Sequence, residues 1–374
     1  MKDNPNAFKH LIGAEVVKKM GAELSVHYPK FNLVQFKKLI PKLNELELKQ
    51  RVRLIREELA KLLPQDFQKS CSILLKVSES EKLDGFDLWP ITDFIQVHGL
   101  KDPHPSLKAL YQLTQKFSGE FAVRPFLAQH QKVTLAQFKI WSQDKSVHVR
   151  RLVSEGSRPR LPWGEKLKAF IEDPSLTIPL LEKLKYDPEL YVRKSVANHL
   201  NDISKDHPKL VTNLLEKWNK EALKESAEKQ ERIEWITRHA LRVLIKNGNK
   251  EALALMGVKH GAKVSVTDLV LNKNKFVVGD ELTFSFKLAS MESGAQNLIV
   301  DYVVHHLKSN GKTSPKVFKL KSFLLGAKEK TVISKKHSLR PVSTRKYYSG
   351  IQFIEIQVNG VGLERVSFEL TCKK

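Results

Sequence analysis

The sequence predicts a mostly α-helical protein, in which a HEAT-like repeat α-solenoid is followed by a smaller all-β immunoglobulin-like sandwich. Two observations carry this prediction. The stretch VHVRRLVSEG at 147–156 aligns with LYVRKSVANH at 190–199, which lies 43 residues further along the chain. A recurrence near this period is typical of two-helix repeats. Near residue 260 the pattern changes from helical spacing to short apolar segments separated by turn residues, which favours strands.

The helical domain is predicted to cover residues 1–258. Apolar residues between 46 and 63 recur at helical spacing with Lys, Arg and Glu between them, which predicts a helix with one buried face. Pro41, Pro64 and Pro90 fall where helices are expected to begin or end. Three segments carry the clearest two-helix repeat signal: 133–156, 177–202 and 209–247.

The β-domain is predicted to cover residues 259–374. Its apolar segments are separated by turn signals such as Asn359-Gly360, and about seven short strands in this length favour an immunoglobulin-like sandwich. We expect His305 and His306 to lie at a sheet edge or on the surface rather than to hold a metal. The predicted strands are 264–266, 282–286, 298–304, 317–320, 330–333, 348–358 and 365–370.

The chain is strongly basic. It carries 64 Lys and Arg against 41 Asp and Glu, a formal charge of +23, and residues 261–374 alone carry 19 against 9. This excess predicts a polyanionic partner, with nucleic acid first and an anionic membrane surface second. A basic protein without a special partner is the remaining alternative.

The sequence shows neither an export signal nor a membrane span. The N-terminus lacks an apolar core region, and no stretch approaches the ~20 apolar residues that a membrane-spanning helix needs. Cys71 and Cys372 are far apart and have no metal-like spacing, which favours reduced thiols. We therefore expect a cytoplasmic protein.

Basic residues recur at one position of the predicted second helices. Stacked repeats place equivalent positions side by side, so these cations should form a row that suits a phosphate backbone. Arg150 and Arg193 directly precede Arg151 and Lys194 of this row. For these two arginines a structural role is favoured instead, in which Arg150 pairs with an aspartate such as Asp144. The row consists of Arg151, Lys194 and Arg238.

Carboxylates stand where helix ends disfavour them. Glu155 precedes Gly156, a natural helix stop, and a carboxylate in the last turn faces the negative end of the helix dipole at a cost of roughly 0.3–1 kcal/mol. Asp202 holds a comparable place. A local rule broken without an obvious gain points to function. The alternatives are surface pairs, of Glu155 with Arg151 and of Glu120 with a basic residue four positions on, Arg124.

Trp163 ends a rigid, basic loop, RPRLPW at 158–163. Such a loop could press an aromatic face onto a sugar or base while its arginines contact phosphate. Alternatively, a Trp after Pro fills a gap between helices. The sequence contains no Gly-rich phosphate loop, metal-ligand cluster or Ser-His-Asp arrangement that stands out, so chemistry without a metal or other cofactor is the expectation.

These motifs together resemble a known family. The likeness is to the AlkC branch of the HEAT-like DNA alkylation repair glycosylases. It covers the helical domain to about residue 258, and the β-domain resembles the immunoglobulin-like appendage that some members carry. The motifs are Ser154-Glu155-Gly156-x-Arg158-Pro159-x-Leu161-Pro162-Trp163 with the preceding Asp-x4-Val-Arg-Arg, YVRKSVANHLND at 191–202, and Glu120-Phe121-Ala122-x-Arg124-Pro125-Phe126.

The resemblance implies hydrolysis of the N-glycosidic bond of cationic N-alkylated bases, such as 3-methyladenine and 3-methylcytosine, in duplex DNA without base flipping. Such a base already carries positive charge and leaves readily, so the remaining task is to stabilise an oxocarbenium-like sugar and position a water. The implied partner is double-stranded DNA containing alkylated bases, bound by a monomer at the nucleoid.

Carried onto this sequence, the resemblance places Glu155 and Asp202 beside the sugar, with Glu120 nearby. Trp163 would pack on the deoxyribose. The residues implied to hold phosphates are Arg151, Arg158, Lys194 and Arg238. A non-catalytic module that binds nucleic acid or protein through the same face remains the alternative, followed by a scaffold for acidic proteins. For the basic β-domain, we hypothesise that it clamps the duplex.

Overall fold

The computed structural model describes residues 7–342 and 345–372. Helices occupy the chain as far as Leu255 and strands begin at Val264, as the sequence predicts for a solenoid followed by a sandwich. The chain divides into two compact units. Unit 1 runs to Asp206 and includes Glu225–Ile236, and unit 2 holds the remainder from His207 onward. The predicted domain boundary after residue 258 stays a prediction.

Unit 1 is built from helices. Two 3₁₀ turns, Phe8–Leu11 and Gly85–Leu88, precede α1 and α6, and a third, Pro174–Leu176, precedes α12. The helices are α1 (Ala14–His27), α2 (Leu33–Lys37), α3 (Ile40–Leu43), α4 (Leu48–Leu62), α5 (Phe67–Glu79), α6 (Trp89–His98), α7 (Pro103–Thr114), α8 (Arg124–Gln129), α9 (Gln131–Trp141), α10 (Val147–Gly156), α11 (Lys168–Glu172), α12 (Ile178–Leu184) and α13 (Leu190–Ile203).

The remaining helices connect to the β-strands along the chain. Helix α15 is divided between the two units after Ile236. These helices are α14 (Pro208–Ala222), α15 (Ala227–Ala240), α16 (Arg242–Lys246) and α17 (Lys250–Leu255). Within the described residues, no helix combines the length and the apolar character that crossing a membrane requires.

The predicted prolines mark helix boundaries. Pro41 and Pro90 lie in the first turns of α3 and α6, where a missing backbone N–H costs no hydrogen bond. Pro64 lies between α4 and α5. The helix pairs α9–α10, α12–α13 and α14–α15 fall on the three predicted repeat segments.

The repeat is visible in the contacts of two arginines. The Arg150 guanidinium donates to the carbonyls of Asp144 and Lys145 at 2.9 and 3.0 Å, and Arg193 donates to the carbonyls of Asp187 and Pro188, both at 2.7 Å. These partners are again 43 residues apart. The structural role is therefore confirmed, but the expected side-chain partner was wrong. Arg150 pairs with the carboxylate of Asp187 in the next repeat at 2.6 Å, because that side chain faces it across the helix packing.

Helix α10 packs against α13. The contact buries aliphatic side chains spaced three or four residues apart, the pattern of one helix face. This packing brings the last turn of α10 beside the middle of α13. The residues fully excluded from solvent are Val149, Leu152, Val153, Val192, Val196 and Leu200.

The strands of unit 2 form two sheets. One is antiparallel with the order β1-β3-β6, and the other has the order β2-β8-β7-β4-β5, in which only β2 pairs in parallel. Inward-facing apolar side chains from both sheets make one core. The strands are β1 (Val264–Leu271), β2 (Lys275–Val277), β3 (Glu281–Ser290), β4 (Gln296–Leu307), β5 (Thr313–Leu325), β6 (Lys330–Ser338), β7 (Gly350–Val358) and β8 (Val361–Thr371).

The sandwich differs from its prediction in two places. Strand β2 was missed because its three residues, between Asn274 and Val278, are too few to give an alternating pattern. His305 and His306 lie on β4, which is flanked by β7 and β5, so the expected edge or surface position was wrong. His306 is buried and bonded to Gln352 at 3.1 Å, and His305 contacts Glu355 at 2.6 Å.

The hairpin between β7 and β8 turns at Asn359 and Gly360, as the sequence predicts. Their φ angles of 44° and 80° are the left-handed pair that a two-residue hairpin needs. A Cβ on Gly360 would lie 2.3 Å from the Cα of Gly248, so this close backbone approach requires glycine.

Candidate active site

Glu155 lies in the last turn of α10, and its carboxylate is held on both oxygens. Oε1 accepts from Arg158 Nη1 at 2.8 Å and lies 3.4 Å from Arg151 Nη2, and Oε2 accepts from the Ser195 hydroxyl of α13 at 2.6 Å. The residue is only 6% exposed. The pair with Arg151 therefore exists, but it is not a surface pair. The donors offset the unfavourable helix dipole and fix the carboxylate in one orientation.

Arg158 joins Glu155 to Asp202. Its Nε donates to Asp202 Oδ2 at 2.8 Å, and Asp202 also accepts from Lys205 at 3.0 Å. Burial would lower the pKa of Arg158, but the charges and hydrogen bonds of the two carboxylates outweigh it and raise that pKa. The expectation that Arg158 faces a phosphate does not fit this position, because its side chain is buried and turned toward two carboxylates.

Glu120 is held by a second arginine. Arg151 Nη1 donates to the Glu120 carboxylate and, at 2.8 Å, to Ser118, and its guanidinium lies 5.1 Å from the Tyr191 ring centre. Burial would lower the pKa of Arg151, but Glu120 and Glu155 raise it. The alternative pair of Glu120 with Arg124 does not form. Arg151, expected on phosphate, instead links two carboxylates.

A cavity of about 280 Å³ opens beside these carboxylates. Glu120, Glu155 and Arg158 lie on its wall, whereas Asp202, only 2% exposed, does not. Much of the remaining lining is aromatic, and Trp89 stacks on Phe121 there with ring centres 5.4 Å apart. The aromatic wall consists of Phe86, Trp89, Phe117 and Phe121, with Trp163 at its end.

Trp163 is on the surface beside this cavity. Its side chain is 58% exposed and meets the Phe8 ring edge-on at 6.2 Å, so it does not fill a gap between helices. Its φ of +64° lies in the left-handed region, which is rare for a bulky residue. The exposed indole face is available to a ligand.

A buried arginine closes the loop that carries Trp163. Arg124, 2% exposed, donates to the carbonyls of Gly156, Arg158 and Glu165 at 2.8–2.9 Å. Burial lowers the pKa of Arg124 to about 10, which leaves it charged at neutral pH. Sequence reasoning missed this role, because the bonds reach 32–41 residues along the chain and no local pattern signals them.

A buried histidine supports the same helix end. His199 of α13 bonds through Nδ1 to the carbonyl of Ser154 at 3.0 Å. Burial lowers the pKa of His199 to about 3, so the imidazole is neutral and Nδ1 carries the donated proton. It ties α13 to α10 immediately before Glu155.

Two residues of the predicted row of cations are exposed. Lys194 is exposed on α13 and Arg238 is exposed on α15, after its division between units. Whether they line up with Arg151 on one surface stays a prediction. Within residues 7–342 and 345–372, no three His, Cys, Asp or Glu side chains are grouped so that they could hold a metal ion.

Comparison with known proteins supplies the family. Residues 118–244 match the model of the DNA alkylation repair enzymes, and residues 265–372 match that of the C-terminal Ig-like domain of the uncharacterised protein YhaZ. The chain is 40% identical to the Pseudomonas fluorescens alkylpurine DNA glycosylase AlkC, solved bound to DNA containing an abasic site analog. That match covers 98% of this chain and 99% of the other, with a TM-score of 0.91.

The chain belongs to the AlkC family. It is also 36% identical over 365 residues to the uncharacterized protein YhaZ of Bacillus subtilis (strain 168), covering 97% of this chain and 99% of YhaZ. The resemblance inferred from the motifs is thereby confirmed, and with it the class of DNA alkylation repair glycosylases. The immunoglobulin-like assignment of the β-domain is confirmed as well.

Proposed function

We propose that this AlkC-family protein hydrolyses the N-glycosidic bond of cationic alkylated bases, such as 3-methyladenine and 3-methylcytosine, in duplex DNA. The observation that carries the proposal is the fixed carboxylate of Glu155 on the wall of an aromatic-lined cavity beside the exposed Trp163. The net charge of +23 suits a polyanionic duplex. The Pseudomonas fluorescens relative, solved on abasic DNA, supports DNA as the partner.

The chemistry needs no general acid. A base alkylated to a cation leaves with the electron pair of the glycosidic bond and becomes neutral, while positive charge develops on the deoxyribose. Glu155 and Glu120, both on the cavity wall, stabilise that charge, and one of them takes a proton from the water that adds to the anomeric carbon. The products are the free base and an abasic site.

The contacts of the candidate residues suggest a different role for each. Glu155 is the principal catalytic carboxylate, with Glu120 second. Asp202 acts through Arg158, to which it bonds at 2.8 Å, because it does not reach the cavity. Arg151 and Arg158 orient carboxylates in place of holding phosphates. Trp163 packs its indole on the deoxyribose, and the exposed Lys194 and Arg238 contact phosphates.

We further propose that the lesion is not flipped into the cavity. Enzymes that flip a base read its hydrogen-bonding edge with polar groups in the pocket. The polar groups of this cavity are already bonded to one another, Ser118 and Arg151 to Glu120, and Arg158 to Glu155. Such a wall suits a sugar cation better than a base edge.

Base release tests the proposal. Duplex DNA carrying 3-methyladenine, 3-methylcytosine or 7-methylguanine is incubated with the protein, and free base is measured by chromatography. Glu155→Gln should lower the single-turnover rate by about 10²–10³-fold with DNA affinity within a few-fold of wild type. Glu172→Gln, at an exposed position on α11, is the matched control and should be fully active.

Two outcomes would reject this assignment. Full activity of Glu155→Gln would remove Glu155 from the reaction. Salt-sensitive DNA binding by the wild type with no release of any methylated base would favour the non-catalytic binding module instead.

We propose that the β-domain extends the DNA contact. Lys316, Lys319 and Lys321 are exposed on β5, a strand with a partner on one side only. Replacing Lys316 and Lys321 with Glu should weaken binding and reduce its salt dependence by about one unit of slope per lost phosphate contact. Unchanged binding of this double variant would make the domain a passive appendage for DNA.

We also propose that the protein acts as a cytoplasmic monomer without a metal, since a cationic leaving group needs no Lewis acid. Full activity after exhaustive chelation, and sedimentation as a 42.8 kDa species, are the expected results. Loss of activity that zinc or magnesium restores would contradict the first part, and sedimentation as a dimer the second.

A further inference from the structure

Trp163 adopts a backbone conformation that the surrounding structure must impose. For a bulky residue, a φ of +64° costs of order 1–3 kcal/mol and persists only where contacts over-determine it. Arg124 fixes both ends of the loop through the carbonyls of Gly156, Arg158 and Glu165. These bonds do not reach the peptide of Trp163 itself.

Lys49 supplies the missing contact. It lies in the first turn of α4, 114 residues earlier in the chain, and its ammonium group donates to the carbonyl of Trp163. The same nitrogen lies 5.4 Å from the ring centre of Phe121, which is part of the aromatic wall. Lys49 thus joins the Trp163 peptide to the wall of the candidate active site.

The setting of Lys49 is unusual for a lysine. No carboxylate of the described residues lies within ion-pair distance of its ammonium, which contacts the Trp163 carbonyl and the Phe121 ring. Burial, and then the charge of Arg53, lower the pKa of Lys49. The charges of Glu165 and Asp93 act in the opposite direction, although neither carboxylate makes an ion pair with it. A partly buried cation without an ion-pair partner is costly, and a role in fixing Trp163 explains why it lies there.

We propose that Lys49 is a positioning residue for the glycosylase reaction, which holds Trp163 in its left-handed conformation and so sets the direction of the indole. This inference rests on the proposed function for its kinetic consequence only. Without the Lys49 donor, the peptide after Trp163 can relax toward negative φ and carry the indole away from the sugar. A displacement of about 1 Å at a positioning contact can cost up to 10²-fold in rate.

The experiment compares three variants of the full chain. Lys49→Met removes the donor and keeps most of the side-chain volume, whereas Lys49→Arg restores a donor. Arg53→Met is the charge-matched control. Arg53 lies one turn further along α4 and, with Lys49, lines a second cavity of about 70 Å³, but it makes no bond to Trp163.

The first measurement needs no substrate. The tryptophans are labelled as 5-fluorotryptophan, and the ¹⁹F resonance of Trp163 is assigned by Trp163→Phe. In Lys49→Met that resonance should shift or broaden while those of the buried Trp141 and Trp218 stay in place. Lys49→Arg should recover most of the wild-type position, and Arg53→Met should leave it unchanged.

The second measurement is single-turnover base release at saturating protein. Lys49→Met should lower the rate by about 10–100-fold, with DNA affinity no weaker than that of Arg53→Met, and Lys49→Arg should recover most of the rate. An unmoved Trp163 resonance in Lys49→Met overturns the proposal. The proposal is also overturned if Lys49→Met loses only DNA affinity, by the same factor as Arg53→Met, and keeps its rate. Lys49 would then be a plain phosphate contact. If the wild type releases no base, the proposed function fails, while the ¹⁹F result still decides the role of Lys49.

Discussion

Replacing Arg158 with methionine should destabilise unit 1 by about 3 kcal/mol. Arg158 lies between two buried carboxylates and donates to each at 2.8 Å. Removing one partner of a buried ion pair costs about 3–5 kcal/mol, because the other charge is left without compensation. In the variant, Asp202 still accepts a hydrogen bond from Lys205 at 3.0 Å, and Glu155 still accepts one from Ser195 at 2.6 Å. Because both carboxylates retain a donor, the expected loss lies at the lower end of that range.

The loss can be compared with a neighbouring surface pair. Arg160 bonds Asp206 at 2.8 and 3.0 Å, so its geometry is as good as that of Arg158, but its side chain is 26% exposed. Exposed pairs contribute about 0–1 kcal/mol. The midpoint of thermal unfolding, followed by helical circular dichroism, should fall by roughly 6–12 °C in Arg158→Met and by no more than a few degrees in Arg160→Met.

A double variant separates charge from packing. If the uncompensated carboxylate is the cause, Arg158→Met with Asp202→Asn should be more stable than Arg158→Met alone, because one buried charge disappears with its partner. Equal losses in Arg158→Met and Arg160→Met, or a double variant no more stable than the single one, would refute the reasoning.

Two further predictions concern pH. Burial raises the pKa of Asp301 to about 6 from an ordinary value of 3.8, so its ionisation opposes folding as pH rises through that interval. Asp301→Asn should therefore stabilise the protein by about 3 kcal/mol at pH 8 and by almost nothing at pH 4 in urea titrations, and a gain independent of pH would contradict this. Burial lowers the pKa of His199 from 6.5 to about 3. Between these two pH values the unfolded chain therefore binds a proton at this residue and the folded chain does not. Stability should fall by about 1.4 kcal/mol per pH unit below 6.5 from this residue, and His199→Asn should lose that slope while the exposed control His104→Asn keeps it.

The repeat was predictable because its signal is local. The paired arginines Arg150 and Arg193 each bond carbonyls five and six residues earlier in the chain, so the same short pattern produces the same structure twice. The position of Glu155 at the end of α10 was predictable for the same reason, from the Gly156 stop signal.

The partners of the site residues were not predictable from local patterns. The loop RPRLPW suggests two exposed arginines, but Arg160 is only partly exposed and Arg158 is buried. Arg158 is buried because the chain turns beneath the end of α10 toward Asp202, 44 residues later. The bonds of Arg124 and Lys49 span 32 to 114 residues and depend on which helices pack together. Sequence spacing therefore singled out the candidate carboxylates and two of the arginines, but not the contacts between them.

The arrangement of these cations bears on how a basic protein would stabilise the cationic transition state of the proposed reaction. The excess of positive charge favours the duplex but opposes positive charge on the sugar. Each carboxylate of the site is held by an arginine from within the same unit, yet the contacts of Glu155 are unequal, 2.8 Å to Arg158 and 3.4 Å to Arg151. In the proposed mechanism, the longer contact is the one for which a developing sugar cation would compete with Arg151. A carboxylate bound closely by both arginines would stabilise that cation less, so the proposed chemistry needs the weaker pair.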